Sequence, residues 1–402
     1  MKTLSTIALC LSMSLLTNQA LAKEKLIVWG SDQADIAAIT EISKEFQKEH
    51  NCEIQIEEYD TVKQIEKVVE KNAKNEETPD VFVLMADKVG YAIHENAVAP
   101  LDFMKQDHEK YLQSTTEIYK LNNTYYGAPK SIETLVIFYN KDVIEYPFET
   151  FNEYIEYAEK NKNTGKYALL AKLDNFYFAY GLLSGYGAYI FGINSDGSYN
   201  KNDIGLNFND ASEGLDLIAD YARNYMPKDM MTDKGWELMD ELFIQGKAAS
   251  VITGPWALSK YAASGVNYGI APLPLLTNGN SPRPFFGCKA YVVNSKSENK
   301  TLAKQFVQYL NTEKVAIRRY EITAELPPLK SVLANPLILN DDFATGIALQ
   351  AEKADPMPSI KEIGYVWQPL NDALYQAISN KSANTKELLN TAVENIKAQY
   401  DK

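Results

Sequence analysis

The sequence predicts an α/β fold, because short apolar runs alternate with amphipathic segments from the start of the chain. Residues 26–29 and 80–84 are near-continuous apolar runs, which are typical of strands covered on both faces of a parallel sheet. Between them, residues 36–46 carry apolar side chains at helical spacing, and residues 53–57 alternate as a half-buried strand does. Residues 61–74 predict a second helix, so the chain opens with a βαβαβ unit.

The second predicted helix has an apolar stripe formed by four β-branched residues: Val62, Ile65, Val68 and Val69. Further along, the run 135–139 begins a second set of strands and helices, and the chain from about Leu302 onward is mostly helical. There is no internal repeat, no low-complexity tract and no Gly/Ser linker in the sequence. Separate lobes would therefore be joined by ordered segments.

One passage, residues 246–274, predicts where a ligand binds. The apolar run Ser250-Val251-Ile252 predicts a buried strand, which stops at Gly254-Pro255 and places Trp256 at the strand end. A short helix is expected over residues 257–263. Open α/β sheets bind their ligands at such strand ends, so Trp256 is a candidate ligand contact.

The amino terminus predicts export. Lys2 is followed by an apolar stretch and then by Ala20-Leu21-Ala22, a small-residue cleavage site. The apolar stretch is too short for a membrane span of about 20 residues. We therefore expect residues 1–22 to be a signal peptide, cleaved near Ala22, and the mature protein to be periplasmic or extracellular.

Composition excludes several function classes. The formal net charge of −13 argues against nucleic acid and anionic lipid as partners. About 380 residues remain after cleavage, which predicts two or three domains. Cys52 and Cys288 are too few for a disulfide framework and are expected to be buried, and the sequence has no Cys/His cluster. We expect no metal and no cofactor.

Five landmarks follow one another in the order of a known family: Thr78-Pro79-Asp80-Val81, Tyr139-Asn140-Lys141-Asp142, Asn175-Phe176-Tyr177-Phe178, Gly254-Pro255-Trp256 and Met357-Pro358. The mature chain resembles the bacterial extracellular solute-binding proteins, in particular their maltose/maltodextrin-binding branch. The resemblance implies the type II-like periplasmic-binding-protein fold, with a ligand cleft between two lobes joined by crossing hinge segments. It implies an N-terminal lobe of 23–131 and 291–335, and a C-terminal lobe of 132–290 and 336–402.

The resemblance also indicates which aromatic residues contact a sugar. A pyranose ring has an apolar face that packs on a flat aromatic side chain. Trp256 and Trp367 match family positions that stack sugar rings, Tyr177 matches a further one, and Trp236 lies where the family has another aromatic residue. For each of these, a place in the core is the alternative. Trp29, at the end of the first strand, is expected in the core.

Charged and amide residues supply the expected hydroxyl partners, because hydroxyls pair with ionised or amide groups. Asp87-Lys88 matches an Asp-Arg pair of the family, although lysine loses the bidentate geometry of arginine. Glu133 matches a sugar-binding glutamate. Asp32 matches another carboxylate, with a helix N-cap as the alternative role.

Three positions depart from the family pattern. Asn371 and Leu84 stand where the maltose-binding pattern has arginine and tryptophan, and Asn175 replaces an acidic residue. We retain Asn371 as a candidate contact. These departures leave the identity of the sugar open.

The sequence therefore predicts a receptor that binds malto-oligosaccharides by cleft closure and delivers them to the permease subunits of an ABC importer, acting as a monomer. The first alternative is a binding protein for a different oligosaccharide, a peptide or a polyamine. The second is a glycosidase that uses Asp87 and Glu133 as paired carboxylates. No nucleophile elbow, phosphate loop or metal motif supports an enzyme.

Overall fold

The computed structural model describes residues 23–208 and 210–400, so the predicted signal peptide lies outside the described residues. The strands are β1 Lys25–Gly30, β2 Glu53–Glu58, β3 Val81–Met85, β4 Lys120–Leu121, β5 Thr124–Tyr125, β6 Ala128–Glu133, β7 Val136–Asn140, β8 Tyr167–Leu170, β9 Gly192–Ile193, β10 Tyr199–Asn200, β11 Ala248–Thr253, β12 Tyr268–Ala271, β13 Phe285–Val293 and β14 Asp355–Pro356.

The α-helices are α1 Gln33–His50, α2 Gln64–Lys74, α3 Val89–His94, α4 Met104–Asp107, α5 Gln113–Ile118, α6 Phe151–Lys160, α7 Phe176–Gly185, α8 Ala211–Tyr225, α9 Gly235–Ile244, α10 Leu258–Ser264, α11 Lys300–Leu310, α12 Glu313–Thr323, α13 Lys330–Leu333, α14 Pro336–Leu339, α15 Asp342–Ala351, α16 Trp367–Ser379 and α17 Thr385–Lys397. Short 3-10 helices span Thr61–Lys63, Ala86–Lys88, His108–Lys110, Lys228–Met231, Pro255–Ala257 and Lys361–Tyr365.

The first large sheet contains the strands predicted at the start of the chain. Strand β1 pairs in parallel with β2 on one side and with β3 on the other. Strand β13 then runs antiparallel to both β3 and β6, and the short β14 pairs with its first two residues. The predicted βαβαβ opening and its parallel pairing are therefore confirmed.

The second large sheet has the order β12–β7–β11–β8. Strand β11 is parallel to β8 and antiparallel to β7, which is also antiparallel to β12. All six residues of β11 are buried, as expected for the strand that precedes Gly254. Helices α16 and α17 pack beside α8 on this sheet, whereas α12 packs on α1 of the first sheet.

The strands position the loops that carry the candidate site. Strands β1 and β3 are parallel, and β6 runs in the same direction because both β3 and β6 are antiparallel to β13. Their carboxyl ends therefore lie at one edge of the first sheet, together with the amino end of β13. The carboxyl ends of β8 and β11 lie at one edge of the second sheet. Only Thr134 and Leu135 separate β6 from β7, so the chain passes directly from one sheet to the other.

Two expectations about single residues have opposite outcomes. Trp29 is buried and stacks on Tyr59 with a centroid separation of 4.3 Å, which confirms its place in the core. Val62 was expected on the buried stripe of the second helix, and this is wrong because its side chain is 57% exposed. The chain forms a separate 3-10 turn over Thr61–Lys63 before α2 begins, so Val62 is out of phase with Ile65 and Val68, which are buried.

Cys52 and Cys288 are both buried free thiols, as expected. Among residues 23–208 and 210–400, no helix is long and apolar enough to cross a membrane. The same residues contain no group of three or more His, Cys, Asp or Glu side chains arranged to hold a metal ion.

Candidate ligand-binding cleft

The amino end of α7 places Tyr177 at the edge of the second sheet. Asn175 caps this helix, and its side-chain oxygen accepts a hydrogen bond from the backbone N–H of Tyr177 at 3.0 Å. The side-chain oxygen of Asn371 accepts from the N–H of Phe176 at 2.7 Å. Asn371 therefore ties α16 to the start of α7, and its carbonyl oxygen already has a protein partner.

Aromatic rings gather at the carboxyl ends of β8 and β11. The ring centroid of Tyr177 lies 6.2 Å from that of Trp256. The centroid of Phe178 lies 6.2 Å from that of Trp256 and 5.1 Å from that of Trp236. The planes in these three pairs are inclined by 54° to 73°, so the rings meet at a tilt or edge to face and do not stack in parallel. Trp256 and Trp236 remain 41% and 39% exposed.

Trp367 joins the same group through two phenylalanines. Its centroid lies 6.0 Å from that of Phe176 and 5.9 Å from that of Phe285, and the Phe285 centroid lies 5.7 Å from that of Tyr177. All four aromatic residues predicted from the sequence thus belong to one cluster. We call it the aromatic cluster, and it comprises Phe176, Tyr177, Phe178, Trp236, Trp256, Phe285 and Trp367.

A buried lysine supports Trp236. The ammonium of Lys172 donates to the carbonyl oxygens of Met230 at 2.6 Å and Thr232 at 3.0 Å, and it forms an ion pair with Asp174. The same ammonium lies 5.4 Å from the centroid of the Trp236 ring. Lys172 thus holds the turn before α9 and makes a cation–π contact with the ring that α9 carries.

Asp87 lies in the 3-10 helix that follows β3, at the edge of the first sheet. Burial of its carboxyl group raises the pKa of Asp87 to about 6, and the nearby carboxylates of Glu66 and Glu133 reinforce this shift. The ammonium of Lys88 acts in the opposite direction. Lys88 itself forms an ion pair with Glu66 at 2.6 Å, so its charge is already engaged.

Glu133 is the last residue of β6 and is buried. Its Oε1 lies 2.8 Å from the ammonium of Lys289 in β13. Burial raises the pKa of the Tyr177 hydroxyl well above its usual value, and the negative charges of Glu133 and Asp87 add to this effect while Lys289 opposes it. The Tyr177 ring contacts Phe285, the first residue of β13, with a centroid separation of 5.7 Å, and Gly287 of the same strand pairs with Glu133.

Asp32 performs the helix-capping role that was the alternative reading. Its Oδ1 accepts hydrogen bonds from the backbone N–H groups of Ala34 at 2.9 Å and Asp35 at 3.0 Å. Leu84 is buried within β3 and contributes to the core of the first sheet.

Sequence reasoning missed Phe285, Lys172 and Lys289. The last two are single lysines inside apolar runs, Ala168–Leu173 and Phe285–Val293. Lysine is seldom fully buried without a partner, so a lysine in an apolar run indicates a buried polar site. This signal could have identified both lysines from the sequence. A surface pocket of about 820 Å³ is lined by residues such as Phe46, His50 and Tyr309 and does not include the aromatic cluster.

The arrangement suits a neutral, polyhydroxylated ligand. Exposed faces of tryptophan pack on apolar ring faces, and carboxylates accept hydrogen bonds from hydroxyl groups. Two α/β sheets that are joined through β6 and bring these groups together define a two-lobed binding protein.

The chain belongs to the bacterial extracellular solute-binding proteins, because the model of that family matches residues 41–348. This confirms the family predicted from the five landmarks.

Individual relatives agree with this assignment. The chain is 35% identical to a galactooligosaccharide-binding protein of Bacillus subtilis (strain 168), over 93% of this chain and 89% of the relative. It is 31% identical to the maltodextrin-binding protein MdxE of the same organism, over 90% of this chain and 88% of the relative.

A solved structure extends the likeness to the whole fold. The crystal structure of MalX from Streptococcus pneumoniae in complex with maltopentaose superposes with a TM-score of 0.86 at 30% identity, covering 93% of this chain and all of that chain. The two-lobed periplasmic-binding-protein fold predicted from the resemblance is therefore confirmed.

Proposed function

We propose that this protein is the substrate-binding receptor of an ABC-type carbohydrate importer and that it binds malto-oligosaccharides between its two lobes. The observation that carries the proposal is the aromatic cluster, whose member Phe285 begins β13, the strand that also pairs with β6 at Glu133. Sugar rings would pack on the aromatic faces, while their hydroxyls donate hydrogen bonds to the carboxylates.

The candidate contacts fall into two groups. The first group could contact a sugar directly through a ring face or a carboxylate, and it comprises Tyr177, Trp236, Trp256, Trp367, Asp87 and Glu133. Lys88, Asp32 and Asn371 are also proposed as contacts, but each already has a protein partner. A ligand would compete with Glu66 for Lys88, with the start of α1 for Asp32 and with the start of α7 for Asn371. We therefore expect these three residues to contribute less to ligand affinity than the first group.

We further propose lobes of 23–131 with 291–335 and of 132–290 with 336–402. The boundaries 131/132 and 290/291 fall within β6 and β13, which pair with each other. Hinges are typically a few residues at the ends of elements that absorb the rotation of two lobes. A ligand that contacts both lobes favours the closed state by the contacts that it makes only there.

The proposal includes a cellular context. We expect the chain to be exported, cleaved near Ala22 and active as a monomer outside the cytoplasmic membrane. Membrane permease subunits would recognise its closed, ligand-bound shape. Membership of an extracellular solute-binding family supports this context.

A galacto-oligosaccharide is the second candidate ligand. The galactooligosaccharide-binding relative is 35% identical, compared with 31% for the maltodextrin-binding one. Leu84 and Asn371 also depart from the maltose-binding pattern, and both are engaged within the protein, Leu84 in the core and Asn371 on α7.

Intrinsic tryptophan fluorescence tests the ligand class, because Trp236, Trp256 and Trp367 all lie in the aromatic cluster. The mature chain is titrated with malto-oligosaccharides, galacto-oligosaccharides, short peptides and polyamines. We expect a saturable change with one oligosaccharide series. A response only to peptides or polyamines would overturn the proposal.

We also propose that the protein binds without catalysis. Incubation of the purified chain with maltotriose and with a galactotriose should leave both sugars intact. Release of shorter sugars by the purified chain, abolished by Glu133→Gln, would contradict this part of the proposal.

A further inference from the structure

A row of alternating charges runs beside the first sheet, from the end of β6 at the proposed cleft to helix α1. Beginning at the cleft, the ammonium of Lys289 lies 2.8 Å from Glu133 Oε1 and 3.0 Å from Glu325 Oε1. Glu325 Oε2 pairs with the ammonium of Lys130, which lies 3.0 Å from Asp35 Oδ1. The row therefore contains three carboxylates and two ammonium groups.

These charges are buried, and each one depends on its neighbours. Burial alone would lower the pKa of Lys289, but Glu133 and Glu325 more than reverse this and keep the pKa well above its usual value. Burial would likewise raise the pKa of Glu325, whereas Lys130 and Lys289 hold it well below its usual range. An ionised side chain deprived of its partner at such depth is strongly disfavoured.

Glu133 differs from the other members because it lies at the end of the row. Among residues 23–208 and 210–400, the Glu133 carboxylate has one ion-pair partner, Lys289 at Oε1, and no side chain or backbone group donates a hydrogen bond to Oε2. Glu325, by contrast, would retain Lys130 if Lys289 were lost. Loss of the Lys289 charge would therefore leave Glu133 without an ion-pair partner, whereas Glu325 would still have one.

The groups around Glu133 are those of the cleft. Its charge acts on Asp87 after β3, on Tyr177 at the start of α7 and on Cys288, the neighbour of Lys289 in β13. The charge of Glu133 also contributes to the raised pKa of Tyr119. None of these four side chains carries a positive charge, so among them and Lys289 only the lysine can balance the charge of Glu133.

We propose that Lys289 is a positioning residue for ligand binding, which holds Glu133 by Oε1 as an ordered carboxylate and leaves Oε2 to accept a hydrogen bond from a ligand hydroxyl. This inference rests on the proposed function, because it assumes that Glu133 contacts an oligosaccharide. Lys289 acts through Glu133 and does not itself need to touch the sugar. Glu325 Oε1, 3.0 Å away, is the second partner of the Lys289 ammonium, whereas Lys130 and Asp35 lie further along the row and contact neither Lys289 nor Glu133.

A double-mutant cycle on ligand affinity tests the inference, with the oligosaccharide that gives saturable fluorescence as the probe. Lys289→Met should weaken binding about tenfold or more, because a buried carboxylate loses its partner. Glu133→Gln should weaken binding to a similar extent. In the Glu133→Gln background, Lys289→Met should cost less than about threefold, since residues that act as one unit are not additive.

Two further variants separate positioning from a general structural role. Lys289→Arg keeps the charge and should bind within about threefold of the unaltered protein. Lys130→Met removes a buried cation from the same row without touching Glu133, so it should lower the free energy of unfolding and leave affinity unchanged. If Lys289→Met does not fold, Lys289→Gln, which keeps a donor but no charge, takes its place in the cycle.

The outcomes distinguish this inference from the proposed function. If the unaltered chain binds no oligosaccharide, the proposed function itself fails. If the unaltered chain binds but Glu133→Gln has no effect, the assignment of Glu133 fails and the role of Lys289 with it. If Lys289→Met and Glu133→Gln weaken binding additively, or Lys289→Met leaves affinity unchanged, the role of Lys289 is overturned while the proposed function stands.

Discussion

At the scale of single residues, the position of Trp256 depends on the glycine two places before it. The Trp256 ring folds back over Gly254, and a Cβ at Gly254 would lie 2.3 Å from the ring atoms Cη2 and Cζ3. Only glycine therefore permits this arrangement of the ring. The Gly254-Pro255-Trp256 sequence thus specifies a ring orientation as well as the end of β11.

Replacement of Trp256 by alanine should weaken oligosaccharide binding about tenfold or more, since an aromatic anchor contributes about 2 kcal/mol or more to a binding site. Isothermal titration calorimetry measures the change. Tyr146→Ala is the matched control, because Tyr146 is 70% exposed and lies outside the aromatic cluster. Equal affinities for Trp256→Ala and the unaltered protein would remove Trp256 from the site.

The raised pKa of Asp87 predicts a dependence of stability on pH. In the folded protein Asp87 keeps its proton up to a pKa of about 6 because of burial, whereas an aspartate in an unfolded chain loses its proton near pH 4. Between these values the unfolded state binds fewer protons, so this group lowers the free energy of unfolding as pH rises from about 4 to about 6. The loss is complete above about pH 6.

Urea denaturation of the ligand-free protein and of Asp87→Asn at several pH values measures this effect. Other groups titrate in both proteins, so the informative quantity is the difference between their free energies of unfolding. Asp87→Asn should gain stability relative to the unaltered protein as pH rises from about 4 to about 6. A difference that stays constant over this range would show that the fold does not raise the pKa of Asp87.

Residue roles were predictable from sequence where a local motif specifies them. Asp32 precedes a helical pattern, and its capping role was one of two readings that the residue type allows. Its partners are its own near neighbours, so no long-range information was needed. Two other interactions could not be predicted: the ion pair of Lys88 with Glu66 and the hydrogen bond from the Phe176 N–H to Asn371. The residues of each pair are 22 or more positions apart in the chain.

At the scale of elements, local periodicity predicted β1, α1, β2 and β3, but it could not place β13. This strand enters the first sheet about 200 residues after β3 and pairs antiparallel with both β3 and β6. Its pairing brings Phe285 to the aromatic cluster and Lys289 to Glu133. Strand pairing over such a sequence separation leaves no periodic signal in either segment, so the partners of Phe285 and Lys289 could not be predicted, even though the lone lysine in an apolar run was itself a visible signal.

A contact between α3 and the segment before α16 is predicted to support closure. Gly90 in α3 lies against the main chain of Ser359–Lys361, and a Cβ there would lie 2.2 Å from the backbone nitrogen of Lys361. Under the proposed lobe boundaries this contact joins the two lobes. Gly90→Ala would push them apart, so we expect it to weaken ligand affinity by about tenfold, the effect of about 1.4 kcal/mol.

Gly364→Ala provides the control for Gly90→Ala. Gly364 lies in the adjoining 3-10 helix Lys361–Tyr365, and a Cβ at this position meets no atom within 4 Å. Calorimetry should show unchanged affinity for Gly364→Ala and weaker binding for Gly90→Ala. If Gly90→Ala binds as tightly as Gly364→Ala, the contact of Gly90 does not belong to the ligand-bound state.

At the scale of the whole molecule, we propose that the two sheets contribute different chemistry to one ligand-binding cleft. The second sheet carries most of the aromatic cluster at the ends of β8 and β11, and the first sheet carries Asp87 and Glu133 at the ends of β3 and β6. Phe285 begins β13 and links the two sets. A ligand that needs both an apolar face and hydroxyl acceptors obtains them together only when the two sheets approach each other.

A crystal structure of the mature chain grown with the oligosaccharide that it binds tests this account most directly. We expect a sugar ring on the face of Trp256 or Tyr177, with hydroxyl groups within hydrogen-bond distance of Asp87 and of Glu133 Oε2. Electron density for the sugar away from both the aromatic cluster and the two carboxylates, for instance in the cavity lined by Phe46 and His50, would contradict the account.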